Sequence, residues 1–148
     1  VNVDQSEFAL QQAKQNFKLN NFSTDNHSFI NEDAFQFLER ESAAGSKYEI
    51  SLLDPPAFAK SQKDKGRALK AYARMAALGI SVTADNGIVV LCSCSGTVSM
   101  DEFKDAIRQG AGGTGRQVQV LETFEHGLDH PVNLMAPEGS YLKVVFCR

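Results

Sequence analysis

Apolar residues recur along this chain in two rhythms, short continuous runs and runs spaced three or four apart. The first rhythm predicts buried strands and the second amphipathic helices. Val1-Asn2-Val3-Asp4 reads as the last turn of a buried strand. Ser6 is placed to cap a helix running to about Asn20, with Phe8, Ala9, Ala13, Phe17 and Leu10 facing inward. His27-Ser28-Phe29-Ile30-Asn31 is a short strand, and Asp33 caps a second helix over roughly residues 34–42. Residues 48–53 form a third strand. A polar loop separates it from a helix over about residues 67–84, which Asp85-Asn86-Gly87 closes as a turn. Residues 88–92 are a near-continuous apolar run, as expected of a strand covered on both faces. Ser99-Met100-Asp101-Glu102 matches the capping box and opens a helix to about Gln109, which the glycine-rich run from Gly110 to Gly115 ends. Residues 117–124 and 141–147 are two further strands, expected to close the sheet as an antiparallel pair.

Alternating strands and helices are the signature of βαβ units, so the expected class is α/β with a mostly parallel sheet. The chain opens on a strand, and no Gly-rich strand-to-helix turn precedes Asp4, so the domain is expected to lack its first βα unit. Its 148 residues suffice for one domain with a substantial core. A net charge of −3 lacks the strongly basic balance of nucleic-acid binders, so any such binding rests on a local patch or a partner domain. No run approaches the ~18 apolar residues of a membrane span, and no signal segment opens the chain, so no membrane partner is expected. Three cysteines form no disulfide framework, which suits a reducing cytoplasm.

In an open parallel sheet, ligands bind at the carboxyl ends of the strands, and chemistry-bearing residues gather there. Asp4 is placed to hydrogen-bond a nucleoside ribose, or only to cap the following helix. Asp33-Ala34 stands where an adenine amino group could be read, and the aspartate can also serve as an N-cap. In Asp54-Pro55-Pro56-Ala57-Phe58 the two prolines fix φ and remove two backbone donors. Such a stiff loop, with an aspartate and a phenylalanine, can hold a planar base by hydrogen bonding and stacking. The alternative is a plain turn with Phe58 plugging the core. At the end of the next strand Cys92 and Cys94 share a face. Cys92 is expected to be buried, and Cys94 to lie at the open mouth beside Ser93 and Ser95 as a candidate nucleophile. A small buried cysteine is the alternative. Cys147 belongs to the core. The stretch from Lys60 to Lys70 carries five cations and one anion beside the proposed site, where phosphate contacts are expected. His126 and His130 are four apart, but Gly127 and Pro131 argue against a metal-binding helix. No metal is expected, and Asp129-His130-Pro131 reads as a shaped loop over the crevice.

At these residues the chain resembles the bacterial class I S-adenosylmethionine-dependent RNA methyltransferases that make 5-methylcytosine in large-subunit ribosomal RNA. The matching stretches are Val3-Asp4 with Ala9-Leu10 and Asn16, residues 48–61, Ser93-Cys94-Ser95, Asp129-His130-Pro131-Val132, and Pro137-Glu138 with Tyr141-Leu142-Lys143. The resemblance implies a Rossmann-like methyltransferase domain, of which residues 1–148 are a partial catalytic domain without the small RNA-binding domain that precedes it. It implies that Asp4 holds the ribose of S-adenosylmethionine, that Asp33 and Ala34 hold its adenine, and that Asp54 lies between cofactor and target base. Cys94 would be the nucleophile, with Pro55, Pro56, Phe58, Lys60 and Ser93 along the RNA substrate. The chain departs from better-known cytosine methyltransferases in having Ala57, not cysteine, after the prolines, so the thiol role falls to Cys94 alone.

Two other readings compete. Amino-methyltransferases acting on adenine N6 or guanine N2 use an Asp/Asn-Pro-Pro-aromatic motif without a thiol, although here the aromatic comes one residue late. A non-catalytic piece is the other. In this fold the absent strand sits between those ending at Asp4 and Asp54, leaving two unpaired strand edges, so that either self-association through this gap or a rearranged sheet is expected, with little cofactor affinity or activity for these residues alone.

Overall fold

The computed structural model describes residues 1–136 and 139–148. The element order is β1 (Asn2–Asp4), α1 (Glu7–Leu19), β2 (Phe29–Asn31), α2 (Ala34–Ala43), β3 (Tyr48–Leu53), a 3₁₀ turn (Gln62–Asp64), α3 (Lys65–Val82), β4 (Thr83–Ser93), α4 (Met100–Gly112), β5 (Val120–Phe124) and β6 (Lys143–Cys147). The chain divides into two compact units, residues 1–44 and 45–148.

In the first unit β1 pairs in parallel with β2, Val3 opposite Ile30. Ser6 caps α1 by accepting from the Ala9 amide, and Asp33 caps α2 by accepting from those of Phe35 and Gln36. Leu10 is buried, with Ala9, Ala13 and Phe17 half-buried around the same stripe. Phe8 was expected to face inward but is 69% exposed. It stands two residues before Leu10, about 200° away around the helix, and so points outward. The β1 strand itself is half-buried rather than fully covered. Phe17 packs edge-on against Phe22, His27 and Phe29.

The second unit holds a four-stranded sheet in the order β3-β4-β6-β5. β3 and β4 run parallel, and β6 and β5 close the sheet as the expected antiparallel pair. Ser51, Leu53, Val89, Leu91, Val145 and Cys147 lie on one face; the apolar members of this set pack with Tyr72, Ala76 and Ile80 of α3 and Phe103 and Ile107 of α4. Alternation sends Ile50 and Leu52 to the opposite face, where each is 66% exposed. Among the described residues β3 pairs with β4 alone and β1 with β2 alone.

Two boundaries differ from the pattern. Asp85-Asn86-Gly87 does not separate helix from strand but bulges out of a β4 that starts at Thr83, with Asn86 at φ 61°. Gly110 does not end α4. It sits inside the helix where a Cβ would lie 2.3 Å from the Ala73 carbonyl oxygen, so its bare backbone allows α3 and α4 to touch. Arg116 caps the end of α3, its guanidinium donating to the carbonyls of Ile80, Thr83 and Ala84.

Candidate active site

In the second unit the carboxyl ends of β3 and β4 bring two loops together. Asp54 follows β3 directly and is exposed, Pro55 is buried, and Pro56 is exposed again. Cys94 follows β4 and is half-buried, its Sγ 3.9 Å from the Pro55 carbonyl oxygen. Cys92 and Cys147 are buried as expected. Burial pushes both thiols up to about 11, with the Asp54 carboxylate and Cys94 adding to the effect at Cys92. A thiol so disposed is a core group, since the thiolate is the reactive form. Cys94 is thus the one partly exposed sulfur among the cysteines.

A chain of hydroxyls holds this geometry. Ser93 Oγ donates to Tyr72 Oη at 2.9 Å, Tyr72 Oη lies 2.9 Å from Ser95 Oγ, and Ser95 Oγ accepts from the Ala59 amide at 3.2 Å. The network ties the end of β4 to α3 and to the loop after the prolines. Ser93 was expected to meet substrate, but it is fully buried and spends its hydroxyl on Tyr72. Phe58 packs against the core cluster with its ring centroid 4.8 Å from that of Tyr72. Its ring is therefore a half-buried plug at the base of the loop, and stacking on a base is not the contact it makes here.

Of the basic run, Lys65 pairs with Glu102 at 2.5 Å and Arg67 with Asp64 at 2.6 Å, while Lys60, Lys63 and Lys70 are exposed. The hydrogen bond from Lys65 holds Glu102 below its ordinary range, and Ser61 then Arg67 do the same for Asp64. A cleft of about 350 Å³ is lined by Lys65, Thr97, Ser99, Glu102, Glu125 and Lys143. The loop after β5 is shaped by His126, whose Nε2 accepts from the amides of Tyr141 and Leu142, and which stacks on His130 with centroids 4.4 Å apart. Among the described residues no three His, Cys, Asp or Glu side chains could hold a metal ion, and no helix is long and apolar enough to cross a membrane. Pro137 and Glu138, part of the sequence resemblance, lie outside the described residues.

In the first unit Asp4 and Asp33 stand at the carboxyl ends of β1 and β2. Asp4 accepts the Ser6 amide at 2.7 Å on Oδ1. Asp33 spends Oδ1 on its cap and accepts Gln5 Nε2 at 2.7 Å on Oδ2. Both are acceptors with lone pairs to spare, the chemistry that ribose hydroxyls and an adenine amino group require.

Lys143, Tyr72 and Ser95 were missed as site residues. Lys143 carried a signal, a single cation at the head of the apolar run from Val144 to Cys147.

No family model matches the chain. A structure of a proposed S-adenosylmethionine-dependent methyltransferase from Streptococcus mutans superposes with a TM-score of 0.84 at 23% identity, over 98% of this chain and 37% of that one. The fold is that of the class I S-adenosylmethionine-dependent methyltransferases. A second such structure, from Agrobacterium tumefaciens, gives a TM-score of 0.66 at 25% identity over 98% of this chain and 46% of that one. In sequence, the whole chain is 36% identical to ribosomal RNA large subunit methyltransferase I of an Enterobacter species and 34% identical to that of Yersinia pseudotuberculosis. It spans 37% of the length of each of these relatives.

Proposed function

We propose that this chain is catalytic-domain sequence of an S-adenosylmethionine-dependent ribosomal RNA methyltransferase that acts on C5 of a cytosine. The observation that carries the proposal is Cys94, the partly exposed thiol, set beside the Asp54-Pro55-Pro56 loop at the strand ends. The names of the relatives supply the substrate class, ribosomal RNA. The three unpaired cysteines suit work in the reducing cytoplasm.

Cytosine C5 is a poor nucleophile, and the site residues answer that difficulty. The Cys94 thiolate adds to C6, and the C5–C6 electron pair becomes an enamine that attacks through C5. Asp54 at the N3/N4 edge hydrogen-bonds the base and helps protonate the ring as the thiolate adds. The cofactor, when bound, supplies an electrophilic methyl group on its sulfonium. A base then removes the C5 proton, the ring double bond re-forms, and the Cys94 thiolate leaves, so one hard step becomes two easier ones. Asp4 and Asp33 with Ala34 fit the cofactor's ribose and adenine by their remaining acceptor capacity. Exposed Lys60 suits a phosphate contact, which positions RNA without reading sequence.

The test uses RNA bearing 5-fluorocytosine, which cannot lose a proton from C5 and traps the adduct. With S-adenosylmethionine and the protein at the relatives' full length, a covalent protein–RNA band is expected, and Cys94→Ala is expected to abolish it. Asp54→Asn is expected to slow methyl transfer by about 10²–10⁴-fold. Full methyl transfer by Cys94→Ala would instead support an amino-methyltransferase.

A second reading concerns assembly. Exposed Ile50 and Leu52 on β3, a strand paired along one edge among the described residues, fit self-association of this chain. Light scattering is expected to show a species larger than a monomer, and Leu52→Lys to shift it toward monomer. A wild-type monomer at all concentrations sinks this second reading.

A further inference from the structure

We infer that His126 is a positioning residue for the Cys94 nucleophile: its neutral ring clasps a segment pinned to the backbone beside Cys94, and protonation of the ring opens the clasp. The inference rests on Cys94 being the nucleophile proposed above. His126 follows β5 by two residues and is half-buried. Its Nε2 accepts from the amides of Tyr141, at 3.0 Å, and Leu142, at 3.1 Å, the two residues just ahead of β6. Its ring also lies edge-on to Tyr141, with centroids 4.6 Å apart. From Tyr141 the contacts run on toward the thiol. The Tyr141 carbonyl accepts from Lys143 Nζ at 2.6 Å, and the same Nζ donates to the carbonyl of Ser95, the residue after Cys94, at 3.1 Å. Ser95 Oγ in turn accepts the Ala59 amide, on the loop whose Pro55 carbonyl meets Cys94 Sγ.

A ring nitrogen that accepts two N–H groups holds no proton of its own, so Nδ1 carries the ring hydrogen. An imidazolium has two donors and no acceptor. One proton on Nε2 therefore ends both bonds at once and sets a new N–H against two amides. Facing the ring are His130, stacked with centroids 4.4 Å apart, and Tyr141. Glu125 and Asp129 are the charged residues flanking it in its own segment, and Lys143 stands at the head of β6. Histidine changes charge close to neutral pH. Using it as the acceptor makes the placement of Tyr141, and through Lys143 that of the Ser95 backbone, respond to acid. His126 touches no reacting atom in this scheme. A glutamine, whose side-chain carbonyl accepts but does not titrate, should keep the clasp and lose the response to pH. A phenylalanine keeps a ring and loses the acceptor.

Three measurements on the protein at the relatives' full length decide the matter. Nitrogen NMR of the labelled His126 ring at about pH 7.5 is expected to show Nε2 bare and Nδ1 protonated, and a protonated Nε2 overturns the inference. In His126→Phe, protection of the Tyr141 and Leu142 amides from exchange is expected to fall about tenfold. Its kcat for methyl transfer to RNA is expected to fall about tenfold with KM within about twofold, because the thiol is displaced and the RNA contacts are not. His126→Gln is expected to stay within about threefold of wild type in kcat. From about pH 7.5 to about pH 5.5, wild-type kcat is expected to fall about tenfold relative to that of His126→Gln. That ratio cancels the titrations of Cys94 and His130, which both proteins share. Parallel pH profiles, or wild-type kcat in folded His126→Phe, would overturn the inference. Should His126→Phe not fold, the ring NMR and the paired pH profiles decide without it. Ring NMR and amide exchange read the clasp without any chemistry, and adduct trapping with Cys94→Ala reads the nucleophile, so the two ideas fail independently.

Discussion

The β1–β2 ladder and the β3–β4 ladder both run parallel, and both deliver an aspartate at their carboxyl ends, yet they are supported differently. In residues 1–44 the buried apolar side chains are Leu10, Phe37 and Leu38 alone among those described. In residues 45–148 a continuous core joins α3 and α4 to three strands. Asp4 and Asp33 rest on caps and an exposed Gln5, whereas Cys94 and Pro55 are braced by a buried hydroxyl chain. Cofactor contacts tolerate a pliable frame, and ligand-binding segments are commonly drawn from the less stable parts of a fold. A nucleophile requires placement within a fraction of an ångström. The difference in support follows the difference in proposed chemistry.

The comparison breaks most directly at Phe103, which is 1% exposed and edge-on to Tyr72 at 5.1 Å. Phe103→Ala is expected to cost about 3–5 kcal/mol in urea unfolding. A loss below about 1 kcal/mol, well under that cavity range, would show that the second unit does not depend on this core. Alkaline pH attacks the same core through its sulfurs. Cys92 and Cys147 sit at about 11 in the folded chain against an ordinary 9.0. Over that interval the unfolded chain has released thiol protons that the folded chain still holds. Stability is therefore fully present below pH 9 and is lost as pH rises toward 11. Melting temperatures measured across that window should fall, and Cys92→Ala with Cys147→Ala should flatten the decline. A wild-type curve no steeper than that of the double variant contradicts the assignment.

Much of this was legible in the pattern and some was not. The capping aspartate and serines and the 48–53 strand announce themselves locally, because each rests on residues a few positions apart. Gly110 reads as a helix stop since its reason, the Ala73 backbone on another helix, lies far away in sequence. Ser93 looks like a site hydroxyl beside Cys94, but its partner Tyr72 is a turn of α3 that no local pattern connects to it. The pattern put Phe58 on a stiff loop as a stacking partner for a base, with a core plug as the alternative, and the ring takes the core side against Tyr72. Cys92 and Cys94, which share a face by strand alternation, were told apart by position alone, and the structure agrees.

The hydroxyl chain can be tested at its centre. Tyr72→Phe keeps the ring contacts with Phe58 and Phe103 and removes only the oxygen between Ser93 and Ser95. Two buried hydroxyls then lose a partner, for an expected cost of about 1–3 kcal/mol. Because Ser95 also holds the Ala59 amide, the loop bearing Pro55 should loosen, read as faster amide exchange at Ala59. Exchange there that matches wild type would mean the proline loop stands without this bracing.

The smallest effect belongs to the first unit. Phe8 is a large apolar side chain on α1, and by composition it looks like core, but it is 69% exposed. Truncating it removes little buried surface from the described fold, so Phe8→Ala is expected to change unfolding free energy by less than about 0.5 kcal/mol. A loss of about 2 kcal/mol or more, the range of a buried truncation, would show that Phe8 is covered in solution. The light-scattering measurement of the unmutated chain then locates the cover. If the loss grows with protein concentration, a second copy supplies it, and the thinly cored unit draws part of its stability from association. If it does not, the cover lies within the chain, and the contrast between the two ladders is smaller than their buried residues imply.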